Sequence, residues 1–539
     1  MSYAEPGPQC ELLLRLARAT FAGDDTRQDL SAILAAAAEA GPGGVCQVLD
    51  MWPSEPISAA LGLNRAAVEK RVKRNAQQAI AAYGLLPLAD GETVLDRYLA
   101  LREVSKRGAK FGPERRLNHA RAVALALDHL AQVAGLSDAS QLEWDCEARI
   151  ADQVPADWRI GDYTVTIQLR DGDPAVVASR AGKGLKSVPP AVRSHPDYAE
   201  VRDQQDLLRG QARRMRTGLI ERLVATEGTL EVGELAGLRR LPAGAAMLPT
   251  LIWQDQTGSI GLLDQVDTSG PVTAVHPFLL YERRLLAKWQ AEIVQRRLRQ
   301  PVKQAFRELY LLTPAERAAR DVSARFAGHQ VNGKVAAQIM AGRGWVIKRA
   351  DTDYQATRLA GEVLTAALLC EFDSYFGLGD VMVGELYFLK DGSTVPLAEV
   401  PPTAFSEVMR DLDLVVSVAG TGPGGYTSPT QAGSRAQLLA ALIDDLGLAQ
   451  VTVDGTSAVV RGSRATYRVH LNSGSIHMEP GGYLCIVPAS FGATRHRNLF
   501  LPFADEDGMT SVILSKVLLL AEDQKITDRS ILAQLERSA

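Results

Sequence analysis

The spacing of apolar and polar positions divides this chain into a helical beginning and a strand-forming end. Residues 9–90 carry the helical period: Leu12-Leu-Leu-Arg-Leu-Ala17 repeats apolar positions three and four apart, and Ala35–Ala38 is an alanine run. Gly41-Pro-Gly-Gly44, Trp52-Pro53 and Glu55-Pro56 are expected to break it. Tyr98–Gly135 is again helical. Asp162–Leu169 alternates and predicts a strand, Asp171-Gly-Asp-Pro174 a turn, and Ala175–Ser179 the returning strand. Long helices are expected over Asp203–Val224 and Tyr281–Leu311, with Pro301 opening a separate helix inside the second. A short helix falls within Ala327–Gly344. The leucine and alanine content of Thr357–Phe372 favours helix over strand. Gly384–Leu389 is a strand turned by Asp391-Gly392, Ala404–Arg410 a helix, Leu412–Ala419 a buried strand and Ser434–Leu446 an amphipathic helix.

The C-terminal pattern is the most specific. Thr466–Leu471 alternates with Tyr467, Val469 and Leu471 apolar, and Ser475–Glu479 with Ile476 and Met478 apolar. A two-residue turn at Ser473-Gly474 would set Leu471 opposite Ile476, Val469 opposite Met478, His470 opposite His477 and Arg468 opposite Glu479. Tyr483–Val487 is apolar on both faces and reads as an inner strand. A short strand, Leu499–Phe503, and helices over Thr510–Glu522 and from Asp528 to Glu536 follow. The expected fold class is therefore α+β and multidomain, with a helical N-terminal half, a mixed middle and a C-terminal antiparallel β-meander covered by helices. The expected divisions are 1–90, 91–300, 301–447 and 448–539.

At 539 residues the chain is too long for a single core. A net charge of -4 means that any nucleic-acid contact must come from a local patch. Cys10, Cys46, Cys146, Cys370 and Cys485 are scattered and form no CxxC pair, which argues against a zinc knuckle or disulfide framework and fits a cytoplasmic protein. The N-terminus shows no secretion signal. No stretch reads as a membrane span, so no membrane partner is expected.

Three places could carry chemistry. Ile57–Arg74 resembles the helix-turn-helix of sigma-factor and response-regulator DNA-binding domains. Ile57 and Leu61 would anchor the first helix, Gly62 the turn and Asn64 the second helix's cap. Val68 and Val72 would point inward, and Arg65, Glu69, Lys70, Lys73 and Arg74 outward. Arg65, Lys70, Lys73 and Arg74 are its candidate nucleic-acid contacts. Arginines along Arg209–Arg222 and Arg283–Arg307 could extend the same electrostatic surface if helical and adjacent. A second place is Ser406, Glu407, Arg410, Asp411 and Asp413, where Glu407, Arg410 and Asp411 share one helix face. It could bind a ligand or do acid–base work, but a buried arginine–carboxylate network is the simpler expectation. The third is the sheet face Arg468, His470, His477 and Glu479. A metal could use the histidines, yet Arg468 satisfies the carboxylate without one, so no metal is expected.

Ala181-Gly-Lys-Gly-Leu-Lys-Ser187 fails the phosphate-loop pattern at Val177 and Gly184. Gly420-Thr-Gly-Pro-Gly-Gly425 fits G-x-G-x-x-G without the helix a dinucleotide site needs, so no cofactor is expected.

Four stretches carry a family resemblance: Gln300–Tyr310, Arg325–Gln330, Glu399–Leu414, and the meander continued through Ser511–Lys516 and Ala521–Ile526. They resemble the bacterial domain-of-unknown-function family 4132 with C-terminal domain-of-unknown-function 7737, some members of which are labelled molybdate metabolism regulator-like. The resemblance runs from about Tyr98 to the C-terminus. Longer members often carry a WGR domain, which this sequence lacks. The resemblance implies no established chemistry. The expectation is a cytoplasmic regulatory or interaction protein without catalytic residues, working with a protein partner. The alternatives are a DNA-binding regulator through 57–74 and the basic helices, and an enzyme with its site around Glu407, Arg410 and Asp411.

Overall fold

A computed structural model describes residues 7–21, 28–108, 110–136, 138–152, 157–170, 172–350, 353–360, 363–372, 379–421, 428–479, 483–485, 487, 500–504 and 508–536. Helix accounts for 53% and antiparallel strand for 19%, with helices in the N-terminal half and sheets beyond it, so the fold is α+β. The chain divides into two compact units. The first is Met1–Thr166 with Ser179–Gly182 and Ala236–Pro242; the second is Ile167–Ala178, Lys183–Leu235 and Ala243–Ala539.

The first unit is a helical array: α1 (Glu11–Phe21), α2 (Leu30–Met51), α3 (Glu55–Ala60), α4 (Arg65–Lys73), α5 (Gln77–Leu85), α6 (Val94–Gly108), α7 (Pro113–Val133) and α8 (Ala139–Asp152). Asp29 caps α2 by accepting from Ala32 N at 3.0 Å. The expected break at Gly41-Pro42 is a kink inside α2, where Gly41 takes φ 66° and ψ 171°. Glu55-Pro56 does not break a helix as expected. It opens α3, because proline in a first turn gives up an N–H that has no helical partner, and Ser54 caps that turn. By length and composition α2 is long and apolar enough to cross a membrane; within the first unit it is kinked and buries Ile33, Ala36, Ala40, Val45 and Val48. A Cβ on Gly84 would lie 2.1 Å from Ala126 O, so this glycine sets the close approach of α5 and α7. Arg97 is fully buried; it donates to Tyr83 O, Leu86 O and Pro87 O at 3.0, 2.9 and 3.2 Å and pairs with Glu92. It thus satisfies the carbonyls left open where α5 ends.

Strands β1 (Trp158–Ile160), β2 (Tyr163–Arg170), β3 (Asp173–Arg180) and β4 (Lys183–Gly184) follow, as the alternation over 162–179 predicted. In the second unit, α9 (Pro190–Arg193) precedes α10 (Tyr198–Arg214), which runs through a π-helical segment at Met215–Ile220 into α11 (Glu221–Thr226). After β5 (Thr229–Leu230), α12 (Val232–Arg240) and α13 (Pro242–Met247), a small sheet adds β6 (Ile252–Asp255), β7 (Ile260–Leu262) and β8 (Val272–Ala274).

The long helix expected over Tyr281–Leu311 is absent. In its place are α14 (Pro277–Glu282) and α15 (Leu286–Gln295), separated at Arg284, whose φ is 58°; Arg297, at φ 51°, turns the chain after α15. The stretch beyond Pro301 is irregular because its polar side chains replace helical bonding. The Gln304 amide accepts from Ile252 N and donates to Ile252 O and Val275 O at 2.8, 2.8 and 2.9 Å, the role a neighbouring strand would play. Neither the long helix nor the separate one expected from Pro301 forms, so the arginines of Arg283–Arg307 are not carried on basic helices as expected.

Next come α16 (Pro314–Ala319), β9 (Val322–Ser323), β10 (Gln330–Asn332) and α17 (Gly333–Gly342), then β11 (Val346–Ala350), β12 (Asp353–Leu359), β13 (Leu364–Phe372), β14 (Asp380–Lys390) and β15 (Ser393–Val395). The main order of the sheet is β10-β14-β13-β12-β11. Thr357–Phe372 is thus two strands and not a helix: Leu364, Ala366 and Leu368 are buried with period two, and burial in the sheet overrides their helix propensity. Conversely, α18 (Pro402–Ala419) runs straight through the expected strand Leu412–Ala419. Phe405, Val408, Met409, Leu412, Val415, Val416 and Ala419 are buried at helical spacing, and they form one core with α17 and the sheet.

Helix α19 (Pro429–Leu446) starts five residues before the expected Ser434, because Ser428 caps it and Pro429 opens it. Residues 422–427, which hold most of the glycine pattern, lie outside the described residues. The meander is β16 (Val451–Asp454), β17 (Ser457–Arg461), β18 (Thr466–His470), β19 (Ile476–Glu479) and β20 (Tyr483–Cys485), in that order, packed in one core with α19, α20 (Met509–Ala521) and α21 (Arg529–Glu536). Its faces are as expected, but the register is shifted by two residues. Val469 faces Ile476, and Arg468 faces His477, because a four-residue loop from Leu471 to Gly474 replaces the two-residue turn. The two-residue shift preserves which side chains face inward. Strand β20 is last in the order and not an inner strand. Of the expected strand 499–503, Leu499 lies outside the described residues and Phe503 makes an isolated bridge to Gln300.

Candidate functional site

The polar residues of α18 gather a buried ionic network within the second unit. Glu407, Arg410 and Asp411 fall on one face, one turn apart. Glu407 accepts two hydrogen bonds from Arg307, both at 2.6 Å, and a third from His276 Nε2 at 3.1 Å. The His276 tautomer follows from its other nitrogen, since Nδ1 accepts from Phe278 N at 3.1 Å and leaves the proton on Nε2. Arg307 also donates to Glu221 at 2.7 and 3.2 Å. Arg410 bridges Glu221 at 3.1 Å and Glu308 at 2.9 Å, and Lys303 completes Glu308 at 2.8 Å. On Asp411, Oδ2 takes Trp345 Nε1 at 2.8 Å and the Arg358 guanidinium, while Arg343 stands 3.3 Å from Oδ1.

Ser406 and Asp413 serve another contact. Ser406 Oγ accepts from Tyr310 N at 3.0 Å. Among the described residues Asp413 is bonded by hydroxyls alone: Tyr310 Oη, Ser428 Oγ at 2.5 Å and Ser417 Oγ at 3.1 Å. The latter cluster ties α18 to the chain before α16 and to the cap of α19.

These contacts set the protonation states. Burial would push the Glu407 carboxyl up, but the Arg307 charge and the Arg307 and His276 hydrogen bonds hold it well below its usual range. Burial opposes ionisation of Glu221 too, yet Arg307 and Arg410 bring it down to about 2. Lys303 and Arg410 similarly outweigh burial at Glu308 and keep it ionised. Asp411 and Asp413 shift the other way, raised chiefly by burial. Arg343 is lowered by burial and then by the charge of Arg410. The Arg343–Asp411 pair is also a loose contact of the network, 3.3 Å apart with Asp411 Oδ1 accepting no hydrogen bond among the described residues.

Two hollows flank this network. A cleft of about 500 Å³ is lined by Thr217, Arg222, Gln338, Arg343, Arg358 and Asp411, among others. A smaller cavity of about 80 Å³ lies on the side of Lys303, Glu308, Tyr310, Arg410 and Asp413.

Three family models match parts of the chain. Domain of unknown function (DUF4132) matches 182–345, Domain of unknown function (DUF7737) matches 432–535, and Family of unknown function (DUF5724) matches 59–146. No curated protein and no solved structure matches it. The first two agree with the resemblance read from the sequence; the third was not anticipated. Glu221, Arg307, Glu308 and Arg343 lie in the DUF4132 stretch, and α18 falls between the two C-terminal matches.

The meander face, inside the DUF7737 stretch, does not assemble the four expected residues around one point. Arg468 binds Asp454 at 2.7 Å and Glu479 at 3.1 Å, His470 Nδ1 meets Ser473, and His477 lies across from Arg468 instead of His470. Among the described residues no group of three or more His, Cys, Asp or Glu converges as metal ligands would.

In the first unit, where the DUF5724 match begins at residue 59, α3 and α4 are joined by a turn at Gly62, φ 73°, with Ile57, Val68 and Val72 buried and Leu61 half-buried. Both helices pack on α5. Asn64 begins α4 but its side chain donates to Glu55 O at 3.2 Å and makes no cap bond. Arg65 is drawn toward Pro87 O, Glu69 and Glu92, whereas Lys70, Lys73 and Arg74 are exposed.

Sequence reasoning missed Glu221, Arg307, Arg343 and Arg358. Only the spacing of Glu407, Arg410 and Asp411 signalled the site; their partners sit too far along the chain for spacing to reveal.

Proposed function

We propose that this chain is a regulatory or interaction protein that binds without catalysing. One observation carries the reading: of the carboxylates that line the hollows, Glu221, Glu308 and Glu407 are each gripped by two or more cations or by a bidentate arginine and held ionised, while Asp411 and Asp413 are tied to Trp345 and Arg358 and to three hydroxyls. Carboxylates so fixed in one state are poor proton shuttles near neutrality. They do lock α11, the 303–308 segment and α18 into one rigid floor. The same reading takes the protein as bacterial and cytoplasmic, of the molybdate-metabolism-regulator-like kind, with a protein partner and no membrane. A panel of phosphate-ester, acyl-ester and glycoside substrates tests it. No turnover is expected; turnover lost in a folded Asp411→Asn protein would overturn the proposal in favour of an enzyme.

A second reading, DNA binding through α4, is favoured by the exposure of Lys70, Lys73 and Arg74, which make no ion pair among the described residues. It expects salt-dependent duplex binding that falls sharply in Lys70→Ala/Lys73→Ala/Arg74→Ala. Full retention of binding in that variant would remove α4 as the reader.

A further inference from the structure

The cleft beside α18 has unused recognition capacity of a particular kind. Arg343 makes two long ion pairs, 3.3 Å to Asp411 Oδ1 and 3.8 Å to Glu221, and its guanidinium makes no hydrogen bond among the described residues. A guanidinium carries five N–H donors, and this one is 21% exposed, at the cleft. Asp411 is 1% exposed, and its Oδ1 accepts no hydrogen bond although Arg343 is near. A buried polar atom left open in this way is uncommon and needs an explanation. The cluster as a whole holds five cations in contact with four carboxylates, and the least compensated cation is Arg343. Arg222, exposed on the rim, adds a sixth positive charge, and the exposed Gln338 also lines the cleft. The rim also contains the π-helical segment Met215–Ile220, a distortion frequent at functional sites.

A ligand that completes this site must be anionic, to balance the excess cation, and must also carry a proton for Asp411 Oδ1. We propose that the cleft binds a hydrogen phosphate group, whose oxygens take the free N–H donors of Arg343 and whose P–OH donates to Asp411 Oδ1. The inference rests on the reading of the chain as a binder. A fully deprotonated oxyanion meets the same arginine but sets its lone pairs against Asp411, so sulfate is a poor ligand. A phosphate monoester loses its last proton with a pKa of about 6, whereas inorganic phosphate still carries one at pH 8. The pH dependence therefore separates the two sources.

Titration calorimetry on the full chain tests this with inorganic phosphate, sulfate and phenyl phosphate at pH 6 and pH 8. Phosphate should bind, and sulfate at least about tenfold more weakly. Arg343→Met should weaken phosphate by about tenfold or more. Asp411→Asn, which offers a donor in place of the acceptor, should erase or reverse the preference over sulfate. Arg222→Met, at an exposed side chain without a partner among the described residues, should weaken phosphate by a few-fold and serves if the network variants fail to fold. Phenyl phosphate that binds more tightly than inorganic phosphate at pH 6 and weakens at pH 8 identifies a monoester as the source; inorganic phosphate that binds at both pH values while phenyl phosphate binds at neither identifies the free ion. No binding of phosphate in either form, or equal binding of sulfate by the wild-type protein, overturns the site while leaving the non-catalytic reading standing. Release of phenol from bound phenyl phosphate does the reverse.

Discussion

Arg307→Ala is the change that probes the network most directly. Arg307 is fully buried and donates five hydrogen bonds, two to Glu407, two to Glu221 and one to Lys303 O. Its removal falls unequally on the two acids. Glu221 keeps Arg410 at 3.1 Å, while Glu407 keeps, among the described residues, only His276 as a hydrogen-bond donor, at 3.1 Å. The cost is therefore that of leaving one buried carboxylate without a full countercharge, about 3–5 kcal/mol, and not the sum of five bond energies. Because the chain has two units, native-state hydrogen exchange at the amides of α18 is the suitable measurement, reporting the opening of that element itself. In the wild type, Glu407 has a folded pKa far below its unfolded one, so its stabilisation is present above about pH 4.3 and is lost as pH falls through the folded value. In Arg307→Ala the folded pKa rises, so the destabilisation should shrink on going from pH 7 to about pH 4.5. The double change Arg307→Ala/Glu407→Gln should recover part of the loss, since a neutral amide is cheaper to bury than an unpaired carboxylate. A cost under ~1 kcal/mol at pH 7, or one that does not vary with pH, would refute the assignment of Arg307 as the countercharge of Glu407.

Three further outcomes follow from the same structure. Ser428 caps α19 through Gln431 N and donates to the buried Asp413, so Ser428→Ala should cost about 2 kcal/mol, and Ser428→Thr much less, read as loss of exchange protection in the first turn of α19. Gly84→Ala should destabilise the first unit by about 1–3 kcal/mol in urea unfolding, because its new methyl would meet the Ala126 carbonyl of α7. Acid titration monitored by near-ultraviolet circular dichroism should show the second unit losing packing between roughly pH 4.5 and pH 2, as Glu221, held down to about 2, and its lowered neighbours protonate. Retention of the spectrum through pH 2 would show that these charges do not maintain the packing.

How far the sequence reveals this architecture depends on the range over which each signal acts. The apolar stripe of α18 has a strict helical period, and reading it as a helix followed by a strand ignored that Leu412, Val415, Val416 and Ala419 continue the spacing begun at Phe405. The meander's faces were legible because alternation is local. Its register was not, because the loop from Leu471 to Gly474 is held by contacts outside the hairpin: Arg435 of α19 donates to Leu471 O and Asn472 Oδ1, at 3.1 and 3.0 Å. Leu364–Phe372 misleads because its leucines and alanines have high helix propensity and only a neighbouring strand rewards the period of two. The ionic site is the extreme case. Glu407, Arg410 and Asp411 announce a polar helix face, but a surface helix carries the same spacing. What makes the face a buried site is Arg307, 100 residues earlier, and Glu221, 86 residues before that. Neither lies in a patterned element that points toward α18: Arg307 sits in an irregular segment where a helix bearing an electrostatic surface was expected. A run of arginines has the same composition whether its members face water or each neutralises a buried acid. Only the fold separates the two, and here it turns an expected electrostatic surface into the interior of the second unit.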